Sequence, residues 1–248
     1  MKKKLKLNQI FNISKNDILS IVGSGGKTTL MFSIAEEIKI NFNVLVTTST
    51  KIYKPTNEKY DYLYSDVNCF INSNFIKKNG ITVISKSMDL QNNKLIGIDD
   101  EELENIKNFF DVIIIESDGS KNLPIKGWKK HEPPILNKTN KTIGIIPIQA
   151  LNKKIDEKNI YGYKEFMNIV GNTEYINNEA IKNLVLNKEG IFKNSKGEKF
   201  LFINQADDDK LIKNSYELAK YLKENISVLE LDFKICYGSL AKGEFYEY

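Results

Sequence analysis

The chain has 248 residues, 41% of them hydrophobic and 27% charged. At about 150 residues per domain this is one large domain, or one with an appendage, and the composition is neither disordered nor collagen-like. The net charge of +4 comes from lysines alone, for there is no arginine; the guanidinium forks that read guanine and phosphate in nucleic acids are missing, so nucleic-acid binding is not expected.

Residues 1–17 open with a run of lysines, but Lys6, Asn8 and Asn12 interrupt what would have to be the apolar core of a signal peptide. No apolar run approaches the roughly 20 residues that span a bilayer. A cytoplasmic protein with no membrane partner is the expectation. Residues 18–22 read as a strand and 27–40 as a helix with apolar Leu30, Met31, Ile34, Ala35 and Ile38 on one side. Between them lies Gly23-Ser24-Gly25-Gly26-Lys27-Thr28-Thr29. Glycines between a strand and a helix let main-chain N–H groups face phosphate oxygens at the positive end of the helix, Lys27 can reach β- and γ-phosphates, and the Thr28 hydroxyl can ligate Mg²⁺. The full Walker A spacing would put glycine at position 21, which is Ile21, so the match is to a shortened loop like that of Mur ligases.

A second strand, 44–48, ends in Thr47-Thr48-Ser49-Thr50-Lys51. At the carboxyl edge of an open sheet Thr48 and Lys51 are candidates for the γ-phosphate or an attacking water. Residues 70–78 are expected as a helix, 81–85 as a strand, and 99–110 as a helix started by acids. The wholly apolar strand 112–115 then runs into Glu116-Ser117-Asp118-Gly119, resembling a Walker B element. Side chains alternate along a strand, so Glu116 and Asp118 point the same way; two such carboxylates would repel unless a cation lies between them, which adds a reason to expect Mg²⁺ shared by Thr28, Glu116 and Asp118.

Further strands are expected at 142–146, 200–203 and 228–231, with helices at 164–170, 179–187 and 211–223, and with 151–194 as a helical insertion. Strands separated by helices imply an α/β, three-layer, P-loop NTPase-like fold with a mostly parallel sheet. Strand 200–203 is followed by Asn204-Gln205-Ala206-Asp207, like the Asn-Lys-x-Asp with which many GTPases read guanine. Gln205 stands in place of the lysine that covers the base. The lone histidine, His131, cannot form a metal site by itself, and Cys69 and Cys236 lack the spacing of a zinc site and read as inert thiols.

Taken in order, residues 22–29, 47–53, 116–120 with Leu123-Pro124-Ile125-Lys126, His131-Glu132-Pro133 and 204–207 resemble the YqeC family. That resemblance implies a P-loop NTPase acting as accessory factor in maturation of a selenium-dependent molybdenum hydroxylase, with a hydroxylase or cofactor-maturation protein as partner. The reading is a Mg²⁺-dependent nucleotide hydrolase, GTP slightly favoured over ATP. Lys27, Glu116 and Asp118 are the catalytic candidates, and Asn204 and Asp207 the base readers. Two alternatives stand beside it: an ATP-dependent ligase or kinase on a small acid, and a nucleotide-gated binding module without catalysis.

Overall fold

The computed structural model describes residues 4–228 and 232–248. In chain order the elements are α1 (Leu7–Ile10), β1 (Ile18–Gly23), α2 (Lys27–Ile38), β2 (Asn43–Thr48), β3 (Lys51–Tyr53), β4 (Tyr62–Tyr64), α3 (Val67–Ile71), β5 (Gly80–Ile84), β6 (Ser87–Asp89), β7 (Lys94–Ile96), α4 (Asp100–Ile106), β8 (Val112–Glu116), β9 (Ile125–Lys126), β10 (Lys141–Pro147), β11 (Ile160–Tyr161), α5 (Tyr163–Val170), α6 (Asn178–Leu186), β12 (Glu198–Asn204), α7 (Asp209–Val228), β13 (Lys234–Ser239) and β14 (Glu244–Glu247). Nine strands form the central sheet in the order β14-β13-β12-β10-β1-β8-β2-β5-β4. All neighbours pair in parallel except β13 with β14.

Burial on both faces explains why the central strands read as continuous apolar runs. Along β8, Val112 and Ile114 pack on the side of α1 and α2, while Ile113 and Ile115 pack on the other. The same alternation in β12 sends Phe200 and Phe202 one way and Leu201 and Ile203 the other, towards α5, α6 and α7. Helices therefore cover both faces of a mostly parallel sheet, the three-layer α/β arrangement expected from the alternating pattern. The strand β1 lies between β8 and β10 near the middle, so its carboxyl end is flanked by the ends of both neighbours.

Three local expectations change. The helix expected over 70–78 is only α3, capped by Asp66 accepting from the Cys69 amide. It stops because Asn72-Ser73-Asn74 prefers local turns, and Asn74 sits at φ 52° in the left-handed region. The strand expected over 228–231 begins on the last residue of α7, and 229–231 lie outside the described residues; the strand that follows is β13. The segment 151–194 holds α5 and α6 but also β11, which pairs in parallel with β9 and so ties this segment to the chain preceding β10. A separate three-stranded sheet, β3-β7-β6, was not legible in the pattern. Among the described residues no helix is long and apolar enough to cross a membrane.

Candidate functional site

The turn between β1 and α2 is shaped by two glycines that nothing larger could replace. Gly26 caps the helix at φ 123°, and a side chain there would come within 2.7 Å of the Asn204 amide. Gly25, at φ 86°, would drive a β-carbon to 2.7 Å from the Pro147 ring. Both conformations lie where L side chains are strained. The first turn of α2 leaves its N–H groups without intrahelical acceptors, and they face the carboxyl edge of the sheet. Thr28 and Thr29 are exposed there, whereas Lys27 is buried.

The Lys27 ammonium is held by the Gly23 carbonyl at 2.7 Å, by Asp118 Oδ1 at 3.4 Å and by Glu116 Oε1 at 4.0 Å. The two carboxylates thus converge on one cation, as the alternation along β8 required. The cation between them is the lysine itself, with a second ammonium, that of Lys126, 3.3 Å from Asp118 Oδ2. Mutual repulsion of Glu116 and Asp118 is therefore relieved by the chain's own charges, and it ceases to be an argument for a metal.

The two acids differ in their partners. Asp118 is fully buried and, among the described residues, receives only nitrogen donors: the Gly23 amide at 3.0 Å, the Trp128 indole N–H at 2.8 Å and the two lysines. Glu116 accepts from the Thr28 hydroxyl at 2.6 Å. Burial pushes its carboxyl above the usual range, against the pull of Lys27 and of the Thr28 hydrogen bond. A hydroxyl and a carboxylate oxygen meeting at the rim of the glycine loop are the hard donors that suit Mg²⁺; the nitrogen-saturated oxygens of Asp118 do not offer this. Among the described residues no cluster of three or more His, Cys, Asp or Glu side chains could hold a metal on its own.

The remaining candidates are divided. The Ser24 hydroxyl donates to the Pro124 carbonyl at 2.9 Å, fixing the loop to the segment after β8. Thr48 donates to the Glu116 carbonyl at 2.7 Å and so locks the end of β2 to the end of β8. Lys51 is exposed on β3, and among the described residues no hydrogen bond or ion pair joins it to the loop. Asn204 donates to the Gly25 carbonyl at 2.8 Å and accepts from the Leu240 amide at 3.1 Å. Asp207 accepts from Ser239 at 2.5 Å and from Gln149 at 3.2 Å. The 204–207 turn is thereby connected to Gly25 of the glycine loop through Asn204 and to the end of β13 through Ser239. Ser239 and Lys126 were not singled out from the sequence; the only available signal for Lys126 was its place in the Leu123–Lys126 run after the acids.

His131 is exposed. Cys236 is buried on β13, where burial pushes its thiol well up, and Cys69 is exposed, with its thiol raised by a hydrogen bond to Asp66. Neither is held as a reactive thiolate.

A family model described as "YqeC protein" matches residues 19–164, more than half of the chain. The chain belongs to the YqeC family. The Escherichia coli (strain K12) protein described as "Uncharacterized protein YqeC" is 29% identical over 182 residues, covering 71% of this chain and 70% of its own length. The YqeC match takes in the glycine loop, the Glu116–Asp118 pair and Lys126, and it ends before Asn204 and Asp207.

Proposed function

We propose that this chain binds a nucleoside triphosphate with Mg²⁺ at the Gly23–Thr29 turn, GTP in preference to ATP, and hydrolyses it slowly. The observation that carries the reading is the joint geometry of loop and strand end: a glycine turn opening a helix, with a buried lysine drawn between Glu116, which ends β8, and Asp118 just past it. Polyphosphate oxygens would occupy the N-terminal amides of α2, and Lys27 would exchange the Gly23 carbonyl for the β- and γ-phosphates. Thr28 and Glu116 would hold Mg²⁺, which when bound supplies positive charge to the β- and γ-phosphate oxygens. Asp118 is assigned a positioning role, keeping Lys27 and the Gly23 amide in register.

GTP preference is supported by the placement of Asp207, oriented by Ser239 beside a turn that Asn204 anchors to the loop. A carboxylate there can accept from the paired N–H donors of guanine, for which adenine has no counterpart. With no arginine in the chain, the charge clamp that speeds many nucleotide hydrolases would be supplied by a partner or replaced by lysine, and slow turnover of the isolated chain favours the partner. The family resemblance makes that partner a selenium-dependent molybdenum hydroxylase or a protein maturing its cofactor. Competition binding of GTP against ATP tests the base assignment: Asp207→Ala should abolish the preference while retaining triphosphate binding, and unchanged preference would remove the assignment. Turnover of tens per second by the purified chain alone would refute the dependence on a partner.

A further inference from the structure

Three lysines that look scattered in the sequence come together beside the phosphate loop. The parallel register of β9 with β11 places Lys126 opposite Tyr161. The ammonium groups of Lys121, Lys126 and Lys129 lie 5.7, 5.1 and 5.8 Å from the centroid of the Tyr161 ring. Lys126 is fully buried, and its charge is answered by Asp118, by Glu132 at 3.5 Å and by the Gly119 carbonyl at 2.8 Å. Lys121 and Lys129 are exposed, and among the described residues neither has a carboxylate within ion-pair distance. The chain brings Lys121 here through two successive left-handed residues, Lys121 at φ 49° and Asn122 at φ 61°. Such conformations cost free energy and persist where the surroundings impose them, often at binding sites.

Lys126 is neutralised where it lies, so the unanswered charges are those of Lys121 and Lys129, two ammonium groups gathered on one ring where mutual repulsion is felt within a Debye length of about 8 Å. A bound anion relieves that repulsion. Position gives the site its meaning, because Asp118 is shared by Lys126 on this side and Lys27 on the other, so the cluster adjoins the end of the phosphate loop where a γ-phosphate would lie. With no arginine to offer a planar fork, point charges converging from several directions suit a tetrahedral dianion better than a carboxylate. We infer that Lys121 and Lys129, gathered over Tyr161 beside the buried Lys126, form a second anion site that takes the phosphate group of a small molecule, held next to the bound nucleotide. This rests on the nucleotide reading for its position but not for its existence.

The probe is inorganic phosphate, titrated into the full chain saturated with a non-hydrolysable GTP analogue and Mg²⁺ and followed by amide chemical shifts. Saturable shifts are expected near 119–129 and 161, with affinity falling at least tenfold in Lys121→Gln/Lys129→Gln. The double variant Lys188→Gln/Lys213→Gln, at exposed lysines elsewhere, should bind as the native chain does, and acetate should bind at least tenfold more weakly than phosphate. Absence of saturable phosphate shifts, or equal affinity in the two double variants, overturns the site; equal binding of acetate overturns its selectivity for phosphate. If the analogue itself does not bind, the nucleotide reading fails separately. The same titration on Lys27→Ala then tests the lysine cluster with the phosphate loop disabled.

Discussion

The two ends of strand β1 use the same ingredients to opposite effect. At its start, Lys141 and Asp17 form a buried ion pair at 2.7 Å. Asp17 also accepts from Ser14 and Asn140, and Lys141 donates to the carbonyls of Phe11 and Asn12, so all around that pair the partners are close and complete. At its finish, Lys27 has one short contact and two longer ones to carboxylates, and it opens onto exposed Thr28 and Thr29. A lysine saturated by fixed oxygens is a structural joint. One that shares its charge loosely between two carboxylates, at the positive end of a helix, is available to an incoming anion.

The contrast is broken most severely by Lys141→Met, which strands Asp17 in the interior. A loss of about 3–5 kcal/mol in urea unfolding is expected, since removing one member of a buried pair leaves an uncompensated charge; nucleotide affinity of the folded fraction should be unchanged. Lys27→Ala should do the reverse. Lys126 still neutralises Asp118, so stability falls less than in Lys141→Met, while loss of a charge-assisted contact of about 1.5–3 kcal/mol weakens triphosphate binding on the order of 10- to 100-fold by calorimetry. Equal destabilisation by the two substitutions would erase the distinction between the ends.

Smaller effects sharpen it. Asn204→Ala removes two partly buried hydrogen bonds, to Gly25 and from Leu240, and should lower stability by about 1–2 kcal/mol while loosening the loop. The smallest effect concerns Glu116. Its folded carboxyl is raised above the ordinary value of 4.5, so the folded chain retains a proton that the unfolded chain releases. Its contribution to stability therefore declines as pH rises from the unfolded value through the folded one. Glu116→Gln should remove that decline, making the nucleotide-free variant's melting temperature gain on the native chain's above pH 4.5, even as Mg²⁺ dependence of nucleotide binding is lost. A variant that loses ground over the same range would contradict the burial argument.

Much of the fold was legible because burial on both faces writes long apolar runs, as in 112–115 and 200–203, and because a glycine turn between strand and helix has few other uses. Glu116 at the end of β8 and Asp118 just past it were placed together by simple alternation. What could not be read was whatever depends on distant pairing. The short strands β3, β6 and β7 make a sheet of only three residues each, too short for a periodic signal. Lys126 meets Tyr161 only because two-residue strands 35 positions apart happen to pair, and Ser239 reaches Asp207 across the loops after β12 and β13. The same limit holds at Glu116 and Asp118: alternation brought the two acids together but could not show that Lys27 and Lys126 lie against them.

The most direct test is the crystal structure of the chain saturated with a non-hydrolysable GTP analogue and Mg²⁺. The expected result is the triphosphate on the amides that open α2, with the Lys27 ammonium transferred from the Gly23 carbonyl to phosphate oxygens. A saturated protein whose analogue lies elsewhere, with Lys27 still bound between Gly23, Glu116 and Asp118, would contradict it.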